Sequence, residues 1–398
     1  MKKNFILAVL AILATLVLLG LLRLEKEPTV PVTTEPGDME PLPPPEVVTT
    51  ITLASVGDIM AHMPQVNAAF DWQRGEYDFM PSFAPVRPLL ADVDIAVANL
   101  ETTLAGSDQG YSGYPRFNSP AALAAALKWA GFHLVSTANN HALDRGEKGV
   151  LHTLDNLAAN GLTAVGTYRN WEERQSVTML EREGHSLAFL AYTYGTNGIP
   201  LPKGKEYLVK LIDREEMAQD LARAREEGAD WIVVLVHFGN EYHRRPSPEQ
   251  EGLVDFLLSQ GADIILGSHP HVLQPVKIFP GEAGTRVVAY SQGNFISNQR
   301  DRYRDSGMIL FITLEKNITR GEKRIKAVEY LPTWVHRYRV DGRLQYRVLP
   351  VEEALRDYET GADPYLTAED WQRLREVWEE TVTWVAPEGE IRVRERKR

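Results

Sequence analysis

The chain has 398 residues, 44% of them hydrophobic, a formal net charge of -11 and no cysteine. That size suits one large or two ordinary domains. The acidic balance excludes nucleic acid as a partner, because its phosphates would be repelled, and the missing cysteines exclude disulfides, thiolate metal sites and thiol nucleophiles.

Lys2 and Lys3 precede an apolar run from Phe5 to Leu22. At about 1.5 Å per residue such a run just crosses a hydrocarbon core. Positive charge on its N-terminal side keeps that end in the cytoplasm. Residues 1–24 therefore read as a single-pass membrane anchor with the body extracytoplasmic. A cleaved signal peptide is the competing reading, but Arg23-Leu24-Glu25 offers no small-x-small cleavage site. Residues 25–48 form a linker, kept extended by Pro28, Pro31, Pro36, Pro41, Pro43, Pro44 and Pro45.

From residue 49 one pattern recurs: a short β-rich apolar run ends and polar residues follow at once. Ile51 to Val56 leads into Gly57-Asp58, and Val93 to Ala98 into Asn99-Leu100-Glu101. Phe132 to Thr137 leads into Ala138-Asn139-Asn140-His141. Trp231 to Val236 leads into His237, and Asp263 to Leu266 into Gly267-Ser268-His269-Pro270-His271. Val287 to Tyr290 leads into Ser291-Gln292-Gly293-Asn294. Continuous apolar runs are the mark of strands buried on both faces. Helix signals lie between them: Ser119-Pro120 before an Ala/Leu segment closed by Gly131, a periodic stretch from Arg145 to Asn160, another from Asp213 to Glu227, and a capping box at Ser247-Pro248-Glu249-Gln250. Alternating strands and helices define an α/β layered body. Residues 49–320 make up this domain. Residues 321–398 form a C-terminal extension, partly helical over Thr367 to Val385 with Trp371, Leu374, Trp378 and Val382 inward, and its last seven residues are mostly basic.

In open α/β sheets ligands gather beyond the carboxyl ends of strands. Six runs each deliver Asp, Glu, Asn or His there. Singly, each has a plainer reading: Gly57-Asp58 as a turn, Asn140 as a helix cap, His237 as a satisfied core histidine, and His62 as either ligand or surface residue. Together they suggest one shared site. Carboxylate and imidazole donors without thiolate suit Zn, Mn or Fe. In an extended loop His269 and His271 point the same way, so both reach one cluster. Two ions about 4 Å apart with a bridging carboxylate would activate water and stabilise a displaced oxygen.

The ordered set Gly57-Asp58-Ile59-Met60, Asn99-Leu100-Glu101, Ala138 to Gly146, Val236 to Tyr242, Gly267 to Val272 and Tyr290 to Phe295 resembles the poly-gamma-glutamate capsule biosynthesis proteins of CapA type, a branch of the calcineurin-like metallophosphatases. The resemblance covers about residues 50 to 300. It implies a four-layer α/β/β/α sandwich and a surface role in making or exporting poly-gamma-glutamate beside membrane-embedded synthase subunits. It also implies two divalent metal ions (Mn, Zn or Fe). Asp58, Asn140, His237, His269 and His271 would be ligands, Glu101 would stand at the bridge, and His141 would face the scissile group as acid. Two positions depart from the superfamily pattern: Met60 stands where Asp-x-His is usual, and Glu101 where Asp bridges. The same residues leave two other functions open, an extracytoplasmic metal-dependent phosphoesterase and a non-catalytic scaffold.

Overall fold

The computed structural model describes residues 45–281, 284–387, 389 and 391–394. The anchor expected at 1–24 and nearly all of the linker lie outside the described residues. Contacts group the chain into Met1–Pro45 and Glu46–Arg398, and the architecture is that of the second unit. Among the described residues no helix is long and apolar enough to cross a membrane.

Two mixed sheets face each other. The first has Val48–Ile59 at its centre, flanked on one side by Ile95–Leu100, Leu134–Ser136 and Thr163–Val165, all parallel. On its other side run Ser306–Asn317, Glu322–Val340 and Arg343–Pro350, all antiparallel. These last strands lengthen the sheet well past residue 320. The second sheet runs Val276–Phe279, Arg286–Ala289, Ile264–Ser268, Trp231–His237, His185–Thr193, Thr178–Arg182, with its four central strands parallel.

Strand alternation explains the layers. Side chains two apart share a face. Ile51, Leu53, Ile95 and Val97 point to one core, together with Leu187, Phe189, Trp231, Val233 and Leu235 of the facing sheet. The intervening Ala54, Val56, Ala96 and Ala98 turn outward against Leu123, Ala126 and Leu127 of the helix Ala122–Ala130. On the far side Ala188, Leu190, Ile232 and Val234 meet Met217 and Leu221 of Arg214–Glu226 and Val254 and Leu257 of Pro248–Ser259. Helices thus cover both outer sheet faces, which is why the strands read as unbroken apolar runs.

The local signals hold. Asp213 caps its helix by accepting from the Glu216 amide. Ser247 and Gln250 form the expected capping box. Gly131 ends its helix at φ 112°, a left-handed residue that glycine adopts freely. The C-terminal helix Ala368–Val385 is present, but its buried face is Leu374, Val377, Thr381 and Val385. Trp371 and Val382 lie at the margin instead, while Leu374, Val377 and Trp378 pack with Trp334, Leu349 and Val351.

Candidate metal centre

Both sheets end their parallel strands on one side, and the polar residues converge there. Register does the placing. Asp58 sits between Asn99 and Asn294 on the adjacent strands. His237 sits between Thr193 and Ser268 on the facing sheet. Two glycines allow the close approach: a Cβ on Gly57 would lie 1.9 Å from the Gly293 carbonyl oxygen, and one on Gly267 2.0 Å from that of Tyr290.

Asp58, Glu101, Asn140, His237, His269 and His271 are all brought together and buried. Ligand atoms of Asp58, Glu101 and His237 lie within 4.8 Å of one another, and so do those of Glu101, His269 and His271. Glu101 belongs to both groups. Asn140 joins through its Oδ1, 3.0 Å from His237 Nε2. Its carbonyl is thus directed at the cluster rather than at the helix Gly146–Ala159, whose N-cap is Arg145.

Hydrogen bonds aim the donors. His271 Nδ1 faces Asp58 Oδ2 at 3.0 Å and Asn294 Oδ1 at 3.1 Å. Both are acceptors, so Nδ1 carries the proton and Nε2 keeps its lone pair. That lone pair points toward Glu101 Oε1, 3.8 Å away. His237 Nε2 is 3.6 Å from the same oxygen. Glu101 Oε1 is buried and has no hydrogen-bond partner among the described residues, and neither has His269 Nδ1. Asp58 Oδ1 accepts from Asn99 Nδ2 at 2.8 Å, and its remaining lone pairs leave capacity for a ligand role.

The electrostatics agree. Burial, then the Asp58 carboxylate, push Glu101 well above the usual carboxylate range. Burial, then the neighbouring His269, push His237 well below the usual imidazole range. Burial and His271 hold His269 down at about 3. The lone pair of His271 Nε2 meets a buried carboxylate oxygen with no proton between them, and His269 Nδ1 is likewise unpartnered. A divalent cation supplies what is missing, so the N/O donor set fits the expected metals.

The route by which His269 and His271 converge differs from the extended loop expected. Both residues have positive φ, 97° and 58°. For residues with a Cβ these are sparsely populated, strained conformations, which cluster at functional sites. His62 lies outside both groups: its Nδ1 faces the Asn298 amide, and its ring meets Phe117 edge-on at 5.1 Å. Met60, two residues past Asp58, is a buried apolar residue.

His141 stands beside the cluster. Its Nδ1 donates to Asp144 Oδ2 at 2.7 Å, and that oxygen also accepts from the Phe117 amide at 2.6 Å. With Nδ1 fixed, Nε2 is the free ring nitrogen. His141 and Asp144 line a cleft of about 410 Å³ together with Tyr114, Arg116, Asn197 and Glu241.

Several site residues escaped sequence reasoning. Asn99, Asp144, Glu241, Ser268 and Asn294 lie inside the motifs, and their spacing was the available signal. Asp144, for instance, follows His141 by three residues. Tyr194 and Asn197 follow the strand His185–Thr193, a seventh apolar run ending in polar residues. The Tyr194 ring lies 4.6 Å from that of His269, and Asn197 Oδ1 accepts from Asn140 Nδ2 at 3.2 Å.

A two-sheet α/β sandwich with a carboxylate–imidazole cluster at its strand ends is the class that fold and site define. A family model described as "Bacterial capsule synthesis protein PGA_cap" matches residues 52–299. The chain belongs to that family. It is 29% identical over 273 residues to the capsule biosynthesis protein CapA of Bacillus anthracis, covering 66% of this chain and 63% of that one. It is 34% identical over 205 residues to the PGA biosynthesis protein CapA of Bacillus subtilis (strain 168), covering 48% and 50%. The chain thus aligns with half to somewhat under two thirds of the length of these relatives. Among solved structures it is similar to the NAD nucleotidase NadN of Haemophilus influenzae, at TM-score 0.45 and 12% identity over 88% of this chain and 65% of that one. It is likewise similar to a phosphatase from Mycoplasma pneumoniae, at TM-score 0.43 and 13% identity over 72% and 94%.

Proposed function

We propose that this chain is a membrane-anchored, extracytoplasmic protein of poly-gamma-glutamate capsule synthesis or export whose metallophosphatase-like body carries a two-ion hydrolytic centre. Membership of the capsule family supports the biological role, and with it a place beside membrane-embedded synthase subunits. One observation carries the chemistry: Glu101 belongs to both ligand groups and keeps a buried oxygen without a partner. Asp58, Glu101, Asn140, His237, His269 and His271 would hold two Mn, Zn or Fe ions. Such ions, when bound, lower the pKa of water and neutralise charge on a displaced oxygen.

The chain's own residues do the rest. Asn99 and Asn294 steer Asp58 and His271. Asp144 holds the His141 ring so that Nε2 is left for the cleft. Protonated on Nε2 as well, with Asp144 beside Nδ1 stabilising the cation, His141 can give the Nε2 proton to a leaving group and return to the neutral ring, a contribution typically worth about 10²–10⁴ in rate. The sandwich walls shield the cluster from bulk water.

The test is His141→Ala in the host. Bound metal and melting temperature should stay near those of the parent, while polymer production falls. Full polymer production by a folded, metal-replete variant would replace this reading with a non-catalytic scaffold.

A further inference from the structure

The cleft beside His141 carries one cation and one anion at its rim, Arg116 and Glu241, and both are exposed. Neither forms a salt bridge among the described residues. The two are presented by loops that are themselves tied down. Ser112 and Asn118 exchange both backbone hydrogen bonds, at 3.0 and 2.9 Å, so residues 113–117 stand out as a narrow loop. Arg145 braces it, donating to Ser112 Oγ and to the Arg116 carbonyl. On the opposite side the Tyr242 amide donates to the Pro270 carbonyl at 2.7 Å. His243 Nδ1 donates to the Glu241 carbonyl at 2.9 Å. Burial, then the Glu241 carboxylate beside it, push the Tyr242 hydroxyl up to about 12, and that carboxylate keeps spare lone pairs.

Arg244, which follows the second loop, is committed elsewhere. Arg244 is stacked between Tyr303 and Trp384, at 4.2 and 4.4 Å, and donates to the Glu380 carbonyl. The cleft lining therefore offers a single guanidinium and, at its exposed rim, a single carboxylate, since Asp144 is buried at the floor and bonded to His141. A purely anionic ligand leaves Glu241 facing like charge. A ligand carrying an ammonium beside a carboxylate satisfies both groups.

We propose that the cleft binds the amino-terminal residue of a γ-linked glutamate chain, its α-ammonium at Glu241 and its α-carboxylate at Arg116. This rests on the polyglutamate role proposed above. The γ-linkage is what makes the pairing possible: it leaves every α-carboxylate free, while only the terminal residue also has a free α-amine. Interior residues offer Arg116 a carboxylate but give Glu241 only an amide. The site thus selects a chain end over the chain's middle. Asn197, also in the lining, supplies a neutral amide nitrogen for the first γ-amide.

The test is calorimetric titration of the full chain in detergent, loaded with Mn²⁺ and freed of excess metal. The probes are tri-γ-glutamate, its N-acetyl derivative and free glutamate. Losing one charge-assisted contact costs about tenfold or more in affinity. N-acetylation should therefore weaken binding at least about tenfold. Glu241→Gln should bring the two peptides to within about twofold, and Arg116→Gln should weaken both. Free glutamate should bind but more weakly than the trimer. Bound manganese should be unchanged in both variants, since neither residue belongs to the ligand groups. Equal binding of free and acetylated trimer with manganese in place overturns this inference and leaves the metal centre standing, as does discrimination that persists in Glu241→Gln. A protein that retains no manganese overturns the proposed centre and this inference with it.

Discussion

Replacing Glu101 with glutamine should have opposite effects with and without metal. In the metal-free protein the carboxylate is buried, its Oε1 has no donor, and the Asp58 carboxylate lies beside it. A buried polar group without a partner costs about 1–3 kcal/mol. An amide at this position would be uncharged at every pH, and its NH₂ could donate to His271 Nε2, which keeps its lone pair and lies 3.8 Å from Oε1. Glu101→Gln should therefore stabilise the chelator-stripped protein by about 1–3 kcal/mol, or roughly 2 °C per kcal/mol for a body this large. The gain should grow with pH. A carboxyl whose folded pKa is raised supports the fold below its unfolded value near 4.5, and that support is lost as pH rises through the folded value. Glutamine has no such loss, so the advantage should be larger at pH 8 than at pH 5.5. With Mn²⁺ at a hundredfold excess over its dissociation constant, the parent should gain about 2.7 kcal/mol. The variant should lose most of that gain, so the order of melting temperatures inverts. Differential scanning calorimetry of both proteins, in EDTA and in Mn²⁺, reads all four values. A variant that melts below the parent in EDTA, or that responds to Mn²⁺ as the parent does, would refute the reasoning.

Three histidines away from the centre should make the fold acid-labile. Trp231 Nε1, Arg347 Nε and the Ala96 amide donate to the Nδ1 of His185, His336 and His133 respectively, and burial lowers all three pKa values. Unfolded, these rings protonate near 6.5, so stability should be full above that pH and fall as pH drops below it, with melting at pH 7.5, 6.5 and 5.5 as the check; a flat profile would contradict this. Gly267→Ala should cost about 3 kcal/mol or more by urea denaturation, because the new methyl meets backbone rather than a movable side chain; a loss of about 0.5 kcal/mol or less would mean the two strands separate freely. Protease added to intact cells should release a fragment beginning between Glu25 and Val48, and a body protected until lysis would mean the orientation is reversed.

Much of the fold was legible because burial on both strand faces leaves an uninterrupted apolar run, and glycine, proline and capping residues punctuate the chain. Trp231 to Val236 could hardly be anything else. The cluster was legible for a related reason: residues ending parallel strands must share one side of the sheet, so Asp58, Glu101, His237 and His269 converge whatever their separation in sequence. What sequence could not supply was pairing across space. Nothing near Asn294 indicates that it leaves the second sheet and pairs beside Asp58 in the first. Nothing in His269-Pro270-His271 indicates left-handed backbone, because two histidines converge by either route. Tyr194 lacked a histidine or acid neighbour to mark its loop. The inward face of Ala368–Val385 was legible at Leu374 and Trp378, which pack on the cluster around Trp334 and Leu349, and missed at Trp371 and Val382, which lie half-buried at its margin.

The pairing of Val48 with Asn317 at the head of the central strand bears on how the molecule is made. Among the described residues, the first strand to be synthesised waits for one of the latest before its second edge is satisfied. Until Ser306–Asn317 emerges, Val48–Ile59 offers a long row of unpaired amides and carbonyls, a template for pairing with other chains. Non-local closure of this kind is slow. The nascent body is thus committed to a lag in which it is adhesive, and partial products ending before residue 306 should aggregate rather than fold.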